Sequence, residues 1–138
     1  YDLVDDSLSF NSNRDGLDIS GSNIKIEGNK FINFSDKAIS VGEESKVYIS
    51  KNLISYNNNG IVVKDGSIAY SLFNKLEENN LDYQLFIKKN FYSTPSLYLL
   101  ESSEKINSSI IEGEIMTKTL EQMNYDFEFV KWELLDKN

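Results

Sequence analysis

The sequence predicts an all-β fold, a parallel β-helix whose short strands stack in coils of about 22 residues. Three observations predict it: apolar pairs that recur every 22 residues, turn-forming stretches between the pairs, and asparagines that recur in the same register. Repeats of about 20–50 residues are typical of solenoids, in which each repeat packs only on its neighbours. The chain of 138 residues is long enough to bury a core of its own.

The first apolar column opens each coil. Gly16, Ala38 and Gly60 are 22 residues apart, and each precedes two apolar residues that have one residue between them. These pairs are Leu17 with Ile19, Ile39 with Val41, Ile61 with Val63 and, one step further, Tyr83 with Leu85. A period of two marks a strand with one buried face, so these side chains are expected to point into the coil.

Two more apolar columns follow in each coil. The second column consists of Ile24 and Ile26 followed by Val47 and Ile49, and the third of Phe31, Ile54 and Leu76. Turn-forming stretches separate the columns, namely SGSN, GEESK and KDGS after the first and GNK and SKN after the second. A helical solenoid is the alternative, but the density of Asn, Gly and β-branched residues argues against it.

Asparagine gives an independent check on the register. Asn29, Asn52 and Asn74 are spaced by 23 and 22 residues, just before the third apolar column. Asn tolerates the left-handed backbone of a sharp corner, and its amide can bond the same residue in the next coil. The sequence therefore predicts a structural asparagine ladder.

The last part of the chain departs from the repeat. After Leu85 the register decays, and the following segment contains the only proline, Pro95. We assign residues 1–100 to the coils and residues 101–138 to a last coil and an irregular C-terminal cap packed on the same solenoid. Further coil residues are expected at Ile110, Ile111 and Ile115.

The final aromatic stretch, YDFEFVKWELLDKN, is expected to close the solenoid. Its apolar residues alternate through Tyr125, Phe127 and Phe129 and then shift phase to Val130, Trp132 and Leu134. The shift indicates a bulge or a short helix. Because the last coil exposes a sheet edge, a bulky tail is suited to cover it.

Composition excludes several classes of function. The net charge is -8 and no basic stripe is present, which argues against nucleic acid and anionic membrane surfaces as partners. No apolar run approaches the roughly 20 residues of a membrane-spanning helix. The chain opens on Tyr1, and we read it as a segment of a larger protein whose N-terminal part is missing.

The chain contains neither cysteine nor histidine. Disulfides, thiolate nucleophiles, Cys-based zinc sites and imidazole general bases are therefore excluded. Catalysis would have to use carboxylates, Lys, Arg or Tyr. No metal site is assigned, and the metal best suited to such ligands is a hard cation such as Ca²⁺.

The repeats resemble those of the right-handed parallel β-helix proteins of the pectin-lyase-like superfamily. The resemblance rests on NKFINFSDKAISVGE, SKNLISYNNNGIVVKDGS and SLFNKLEENNLDYQLFIKK, and it covers roughly residues 15–90. It implies a right-handed coil, secretion or cell-surface display, and polysaccharides as the usual ligands. Members of the superfamily include lyases, epimerases, hydrolases, tailspikes and noncatalytic surface proteins, so fold alone does not choose an activity.

Stacking converts sequence spacing into neighbours. Asp15 and Lys37 begin one outward column, with Asn59 next, and they are expected to form an exposed ion pair worth about 0–1 kcal/mol. Such a pair would steady the stack or, on the alternative interpretation, serve catalysis.

A second group of charged residues lies in the turn after the first strand. Glu43 and Asp65 share a column with Gly21, and Lys64 and Asp18 lie beside them. Stacked carboxylates repel unless a cation, a Lys or water lies between them. We therefore expect a patch that contacts sugar or a cation; the alternative is a set of charged turn residues that face water.

The resemblance also implies roles for these residues. In pectate-lyase-like enzymes the groove follows one sheet and combines acidic Ca²⁺ ligands with a basic proton acceptor. Asp18, Glu43 and Asp65 would take the first role, and Lys37 or Lys64 the second. No specific lyase motif matches, so catalytic residues stay unassigned. Tyr48, Tyr56 and Tyr70 are candidates for stacking on sugar rings or for ordinary packing.

Two functional hypotheses follow. The first is a noncatalytic, capped C-terminal segment of a larger extracellular or cell-surface β-helix protein that is structural and contacts polysaccharide. The second is a polysaccharide lyase, epimerase or hydrolase that uses carboxylates and Lys on the coil surface. The lack of His and of a matched motif favours the first. A trimeric shaft is a third arrangement that the repeat permits.

Overall fold

The computed structural model describes residues 2–4, 9–10, 15–101 and 107–127. These residues form a parallel β-solenoid of about 4 turns, with coils about 22 residues apart. The predicted fold class is therefore confirmed. Every strand pairing is parallel, as it must be when each strand lies directly over its counterpart in the next coil.

Three complete coils contribute one strand to each of three sheets, and the coils before and after them, as far as the structure describes them, contribute strands to two. The five-stranded sheet contains β3 (Leu17–Ser20), β6 (Lys37–Gly42), β9 (Asn59–Lys64), β12 (Leu81–Phe86) and β14 (Ser108–Ile110). The six-stranded sheet contains β1 (Asp2–Val4), β4 (Asn23–Glu27), β7 (Lys46–Ser50), β10 (Ile68–Leu72), β13 (Ser96–Leu100) and β15 (Glu114–Lys118). The four-stranded sheet contains β2 (Ser9–Phe10), β5 (Lys30–Ile32), β8 (Leu53–Ser55) and β11 (Lys75–Glu77).

The registers place the predicted apolar columns inside the coil. In the five-stranded sheet, Leu17 pairs with Ile39 and Ile39 with Ile61. In the four-stranded sheet, Phe31 pairs with Ile54, and both are completely buried. Removing these side chains from water supplies the main driving force for stacking, at roughly 25 cal/mol per Å² of apolar surface.

Three corners join the sheets. The first corner leads from the five-stranded to the six-stranded sheet, the second from the six-stranded to the four-stranded sheet, and the third back to the five-stranded sheet. The predicted asparagine ladder lies at the second corner and is confirmed: the Asn52 Nδ2 group donates to Asn74 Oδ1 at 2.9 Å, and the backbone N–H of Asn29 donates to Asn52 Oδ1 at 2.8 Å.

Two further ladders, which the sequence pattern did not predict, lie at the other corners. At the first corner, Ser22 N–H donates to Ser45 Oγ at 3.1 Å, and Ser45 N–H donates to Ser67 Oγ at 3.1 Å. At the third corner, Asn57 N–H donates to Asn79 Oδ1 at 3.0 Å. Each corner thus links successive coils through a polar column, and several members of these columns are buried, namely Ser45, Ser67, Asn29, Asn52 and Asn57.

A longer connection after β12 explains why the repeat fades in the sequence. Ile68 of β10 pairs with Ser96 of β13, so this coil is longer than the earlier ones. The stacking itself continues, because Leu85 pairs with Ile110 and Leu97 pairs with Ile115.

Residues 120–127 form a helix on the outward face of the six-stranded sheet. It begins with a capping box in which Gln122 N–H donates to Thr119 Oγ1 and Thr119 N–H donates to Gln122 Oε1. Met123 and Phe127 pack against the outward-facing Tyr48 and Tyr70, and all four side chains are buried.

The described part of the C-terminal tail therefore runs back along the stack, beside the sheet rather than as an alternating strand over the last coil. Tyr125 and Phe127 are helical, whereas Phe129, Val130, Trp132 and Leu134 lie outside the described residues. Tyr48 and Tyr70 are only 6% and 3% exposed, so in this structure they cannot stack on a sugar.

The described part of the chain contains no helix with the length and apolar character needed to cross a membrane.

Candidate functional site

The first corner gathers four of the six residues predicted to form a site. Its turn requires a left-handed backbone, with φ of 56° at Gly21, 53° at Glu43 and 50° at Asp65. Glycine adopts this conformation freely, whereas Glu and Asp adopt it at a cost of roughly 1–2 kcal/mol. Because these three positions stack, the two carboxylates are held one coil apart on the same side of the solenoid.

A pocket with a volume of about 120 Å³ lies at this corner, and we call it the first-corner pocket. Its lining includes Asp18, Ser20, Glu43, Lys64, Asp65, Lys88 and Lys89. Its charged groups are three carboxylates and three ammonium groups, so their formal charges cancel. Four of the predicted residues thus line one pocket, in which three lysines balance the three acidic groups.

Glu43 is tied to its neighbours by both carboxylate oxygens. Lys89 Nζ donates to Glu43 Oε1 at 2.6 Å, and Ser20 Oγ donates to Glu43 Oε2 at 2.6 Å. The Lys89 hydrogen bond, followed by that of Ser20, lowers the pKa of Glu43. The same contact with Glu43 raises the pKa of Lys89. At neutral pH both groups are therefore charged.

Asp65 is a buried turn-forming residue, with only 1% of its surface exposed. Its Oδ1 atom accepts the backbone N–H of Lys88 at 2.7 Å and that of Lys89 at 3.0 Å. A carboxylate that accepts two backbone donors fixes the chain that carries them. Asp65 therefore positions the two lysines that complete the pocket. Its Oδ2 atom is buried and has no hydrogen-bond partner within the described residues.

Lys64 lies flat across the preceding coil. A Cβ atom on Gly42 would lie 2.9 Å from Lys64 Cε, closer than such contacts occur, so the absence of a side chain at Gly42 makes room for the lysine stem. Asp18 is exposed at the side of the pocket and pairs in register with Ser40. Lys64 and Asp18 both line the pocket.

Asp15 and Lys37 lie where the strands of the five-stranded sheet begin, whereas the pocket lies where these strands end. The two residues are therefore not part of the pocket. The predicted contact is present, with Lys37 Nζ 3.9 Å from Asp15 Oδ1, but Asp36 Oδ2 is closer at 2.8 Å. The backbone N–H of Lys37 also donates to Asp15 Oδ1 at 3.1 Å. Burial raises the pKa of Asp15, and Lys37 partly opposes this shift.

Lys88 and Lys89 are the site residues that sequence reasoning missed. Lys64 pairs in register with Phe86, so continuing the count past β12 brings the chain back to the first corner at Ile87 to Lys89. The signal was therefore present, but the longer connection that follows hid it.

The described residues contain no group of three or more acidic side chains arranged to hold a metal ion. Asp18, Glu43 and Asp65 line one pocket, but the oxygens of Glu43 are directed to Lys89 and Ser20.

No protein-family model, curated protein or solved structure matches this chain. The geometry of the residues is therefore the basis for the functional argument.

Proposed function

We propose that this chain is a noncatalytic segment of an extracellular or cell-surface β-helix protein, which stabilises the stack and contacts acidic polysaccharide at the first-corner pocket. One observation carries the proposal: both carboxylate oxygens of Glu43 already accept hydrogen bonds, one from Lys89 and one from Ser20. A carboxylate that is already paired in this way is better suited to shaping a binding surface than to exchanging protons.

Acid–base chemistry needs groups that exchange protons near neutral pH. In a glycoside hydrolase one of two carboxyls must be protonated, which requires a raised pKa. The pKa of Glu43 is shifted the other way. Lys89, whose pKa is raised, remains an ammonium group and is a poor proton acceptor.

The remaining lysines suit an acidic sugar. Within the described residues, Lys64 and Lys88 form no ion pair, and both line the pocket. Their ammonium groups would donate to a uronate carboxylate, while Asp18 would accept hydroxyl hydrogens. Such contacts are electrostatic and exposed, so binding would weaken as salt increases.

A polysaccharide lyase, epimerase or hydrolase is the second candidate. It is favoured by the convergence of Asp18, Glu43 and Asp65 with three lysines in one pocket. Such an enzyme would need Glu43 to be released from Lys89 when substrate or Ca²⁺ binds.

We further propose that the coil is right-handed and belongs with the pectin-lyase-like β-helices. Parallel crossover connections are right-handed in about 98% of cases. The 22-residue coil and the asparagine ladder support this assignment.

The first test measures binding of oligogalacturonate to the full chain by isothermal titration calorimetry. The Lys64→Met/Lys88→Met variant should lose most of the affinity. Lys75→Met is the matched control, because Lys75 is an exposed lysine of the four-stranded sheet that lies 3.9 Å from Glu77. Equal binding by both variants would refute the assigned pocket.

The second test measures turnover of acidic polysaccharides with and without Ca²⁺. The proposal predicts binding without release of unsaturated products or new reducing ends. Turnover that disappears in Glu43→Gln or Asp65→Asn would instead establish the enzyme.

A further inference from the structure

A second depression lies at the third corner, away from the first-corner pocket. We name it the third-corner groove. It is wide and open, has a volume of about 460 Å³, and its rim carries Asn33, Ser35, Tyr56, Asn58, Glu78 and Asn80. The proposed function does not use this surface.

The floor of the third-corner groove is rigid. Asn57 is buried there: its Oδ1 atom accepts the backbone N–H of Phe34 at 2.9 Å, and its Nδ2 group donates to Phe31 O at 3.1 Å and to Asn79 Oδ1 at 3.0 Å. Since these bonds join three successive coils, the floor needs little ordering when a ligand binds. A preformed concave surface is the usual basis of a binding site.

The rim has hydrogen-bonding capacity that the fold leaves unused. Within the described residues, the side chains of Asn33, Tyr56 and Glu78 form no hydrogen bond or ion pair. Asn80 Nδ2 donates to Asn58 Oδ1 at 2.8 Å, and within the described residues the Asn58 Nδ2 group and the Asn80 Oδ1 atom form no hydrogen bond. The rim therefore offers both donors and acceptors.

Tyr56 is the least expected residue on this rim. The residue is 61% exposed, and its backbone is left-handed with φ of 57°. The same column has φ of 63° at Asn33 and 58° at Glu78, so the corner requires this backbone. Asn or Gly would adopt it with less strain, and the exposed ring adds little to the core. Neither turn geometry nor core packing explains a tyrosine here.

The charge of the groove differs from that of the first-corner pocket. Among the described residues that line it, Glu78 is the only charged one. An anionic ligand would meet this carboxylate without a lysine to balance it. A ligand with uncharged hydroxyl groups and a flat apolar face would match the amides and the ring.

We propose that the third-corner groove binds an uncharged saccharide chain that lies along the solenoid axis. The ring of Tyr56 packs on the apolar face of one sugar. Asn58 and Asn80 bond hydroxyl groups on successive sugars, because the stacked strands repeat every ~4.8 Å along the axis. The ligand class and the corner both differ from those of the first-corner pocket, so each assignment can fail without the other.

The experiment titrates the ¹⁵N-labelled full chain with neutral hexasaccharides (cellohexaose, xylohexaose, mannohexaose and maltohexaose) and follows amide chemical shifts. At least one should shift the amides of Asn33, Tyr56, Asn58 and Asn80, with a Kd on the order of 1 mM or tighter. Shifts confined to other surfaces, or no shift with any of the four sugars, would overturn the proposal.

Two variants separate binding from folding. Tyr56→Gly removes the ring but accepts the left-handed backbone, and it should weaken binding about tenfold or more. Phe73→Gly is the matched control, because Phe73 is a 55% exposed aromatic residue with φ of 58° at another corner. Equal weakening by both variants, or by neither, would contradict the role of Tyr56. Lys64→Met/Lys88→Met should leave neutral-sugar binding unchanged.

Discussion

The side-chain oxygen of Asn52 accepts the backbone N–H of Asn29 in the preceding coil, at 2.8 Å. The same relationship recurs at the other corners, where Ser45 Oγ accepts Ser22 N–H at 3.1 Å and Asn57 Oδ1 accepts Phe34 N–H at 2.9 Å. At a corner the backbone turns, and a buried N–H still needs a partner. A side chain from the next coil supplies it.

Replacing Asn52 with Ala should destabilise the protein by about 2–4 kcal/mol. The change removes the acceptor for Asn29 N–H and the donor to Ile26 O, 3.1 Å away, in a buried corner. Urea unfolding measures the loss as a lower midpoint.

Asn58→Ala is the control for this prediction. Asn58 is also a ladder asparagine, bonded to Asn80, but both are exposed, so water can replace the lost bond. Its cost should stay below about 1 kcal/mol. If both variants lower the free energy of unfolding by similar amounts, burial of the asparagine does not determine how much the ladder stabilises the protein.

The pH dependence of Glu43 tests the electrostatics of the first-corner pocket. Lys89 and Ser20 lower its pKa below the ordinary value of 4.5. A carboxyl whose pKa is lowered on folding stabilises the native state above its unfolded pKa, and this contribution disappears as pH falls through the folded pKa. Carboxyl NMR titration should place the midpoint of Glu43 below 4.5.

The Lys89→Met variant should raise that midpoint toward the ordinary value, because Ser20 alone remains as a donor. Lys75→Met removes the same charge elsewhere on the solenoid and should leave the Glu43 midpoint in place. If Lys89→Met has no effect, the ion pair between Lys89 and Glu43 does not form in solution, and the contact on which the proposed function rests is absent.

The helix over residues 120–127 should detach without unfolding the coils. Most helical stability in proteins comes from the packing of an apolar face, and the described residues of this helix bury Met123 and Phe127 against the sheet, so it depends on docking. Met123 is completely buried against the tyrosines of the six-stranded sheet. Met123→Ala should therefore accelerate hydrogen exchange at residues 120–127 while the amide of Ile61 stays protected.

Glu121→Ala is the matched surface change in the same helix and should leave exchange nearly unaltered, since Glu121 is exposed. Loss of protection throughout the coils in Met123→Ala would show that helix and solenoid unfold as one unit.

The sequence was sufficient to predict the stacked interior because burial imposes a strict period. Leu17, Ile39 and Ile61 face the core at every repeat, and a shift of one residue would turn them to solvent. The second-corner ladder was predictable for the same reason, because Asn52 keeps register with the core.

Features outside this periodicity were harder to predict. The longer connection before β13 obscured Lys88 and Lys89, whose places depend on backbone bonds to Asp65. The outward tyrosines gave no sign of burial, since their cover comes from a distant helix. Thr119 and Gln122 form a capping pair that is typical of a helix start. The alternating apolar residues of the tail suggested a strand instead.

The most direct test uses cysteines in a chain that has none. In Asn58→Cys/Asn80→Cys, mild oxidation should form a disulfide, because stacked residues lie ~4.8 Å apart and disulfides need Cα separations of about 4.4–6.8 Å. Asn58→Cys/Lys64→Cys, closer in sequence but about 20 Å apart along β9, should stay reduced. A cross-link in the second variant but not in the first would contradict the stack on which both binding surfaces depend.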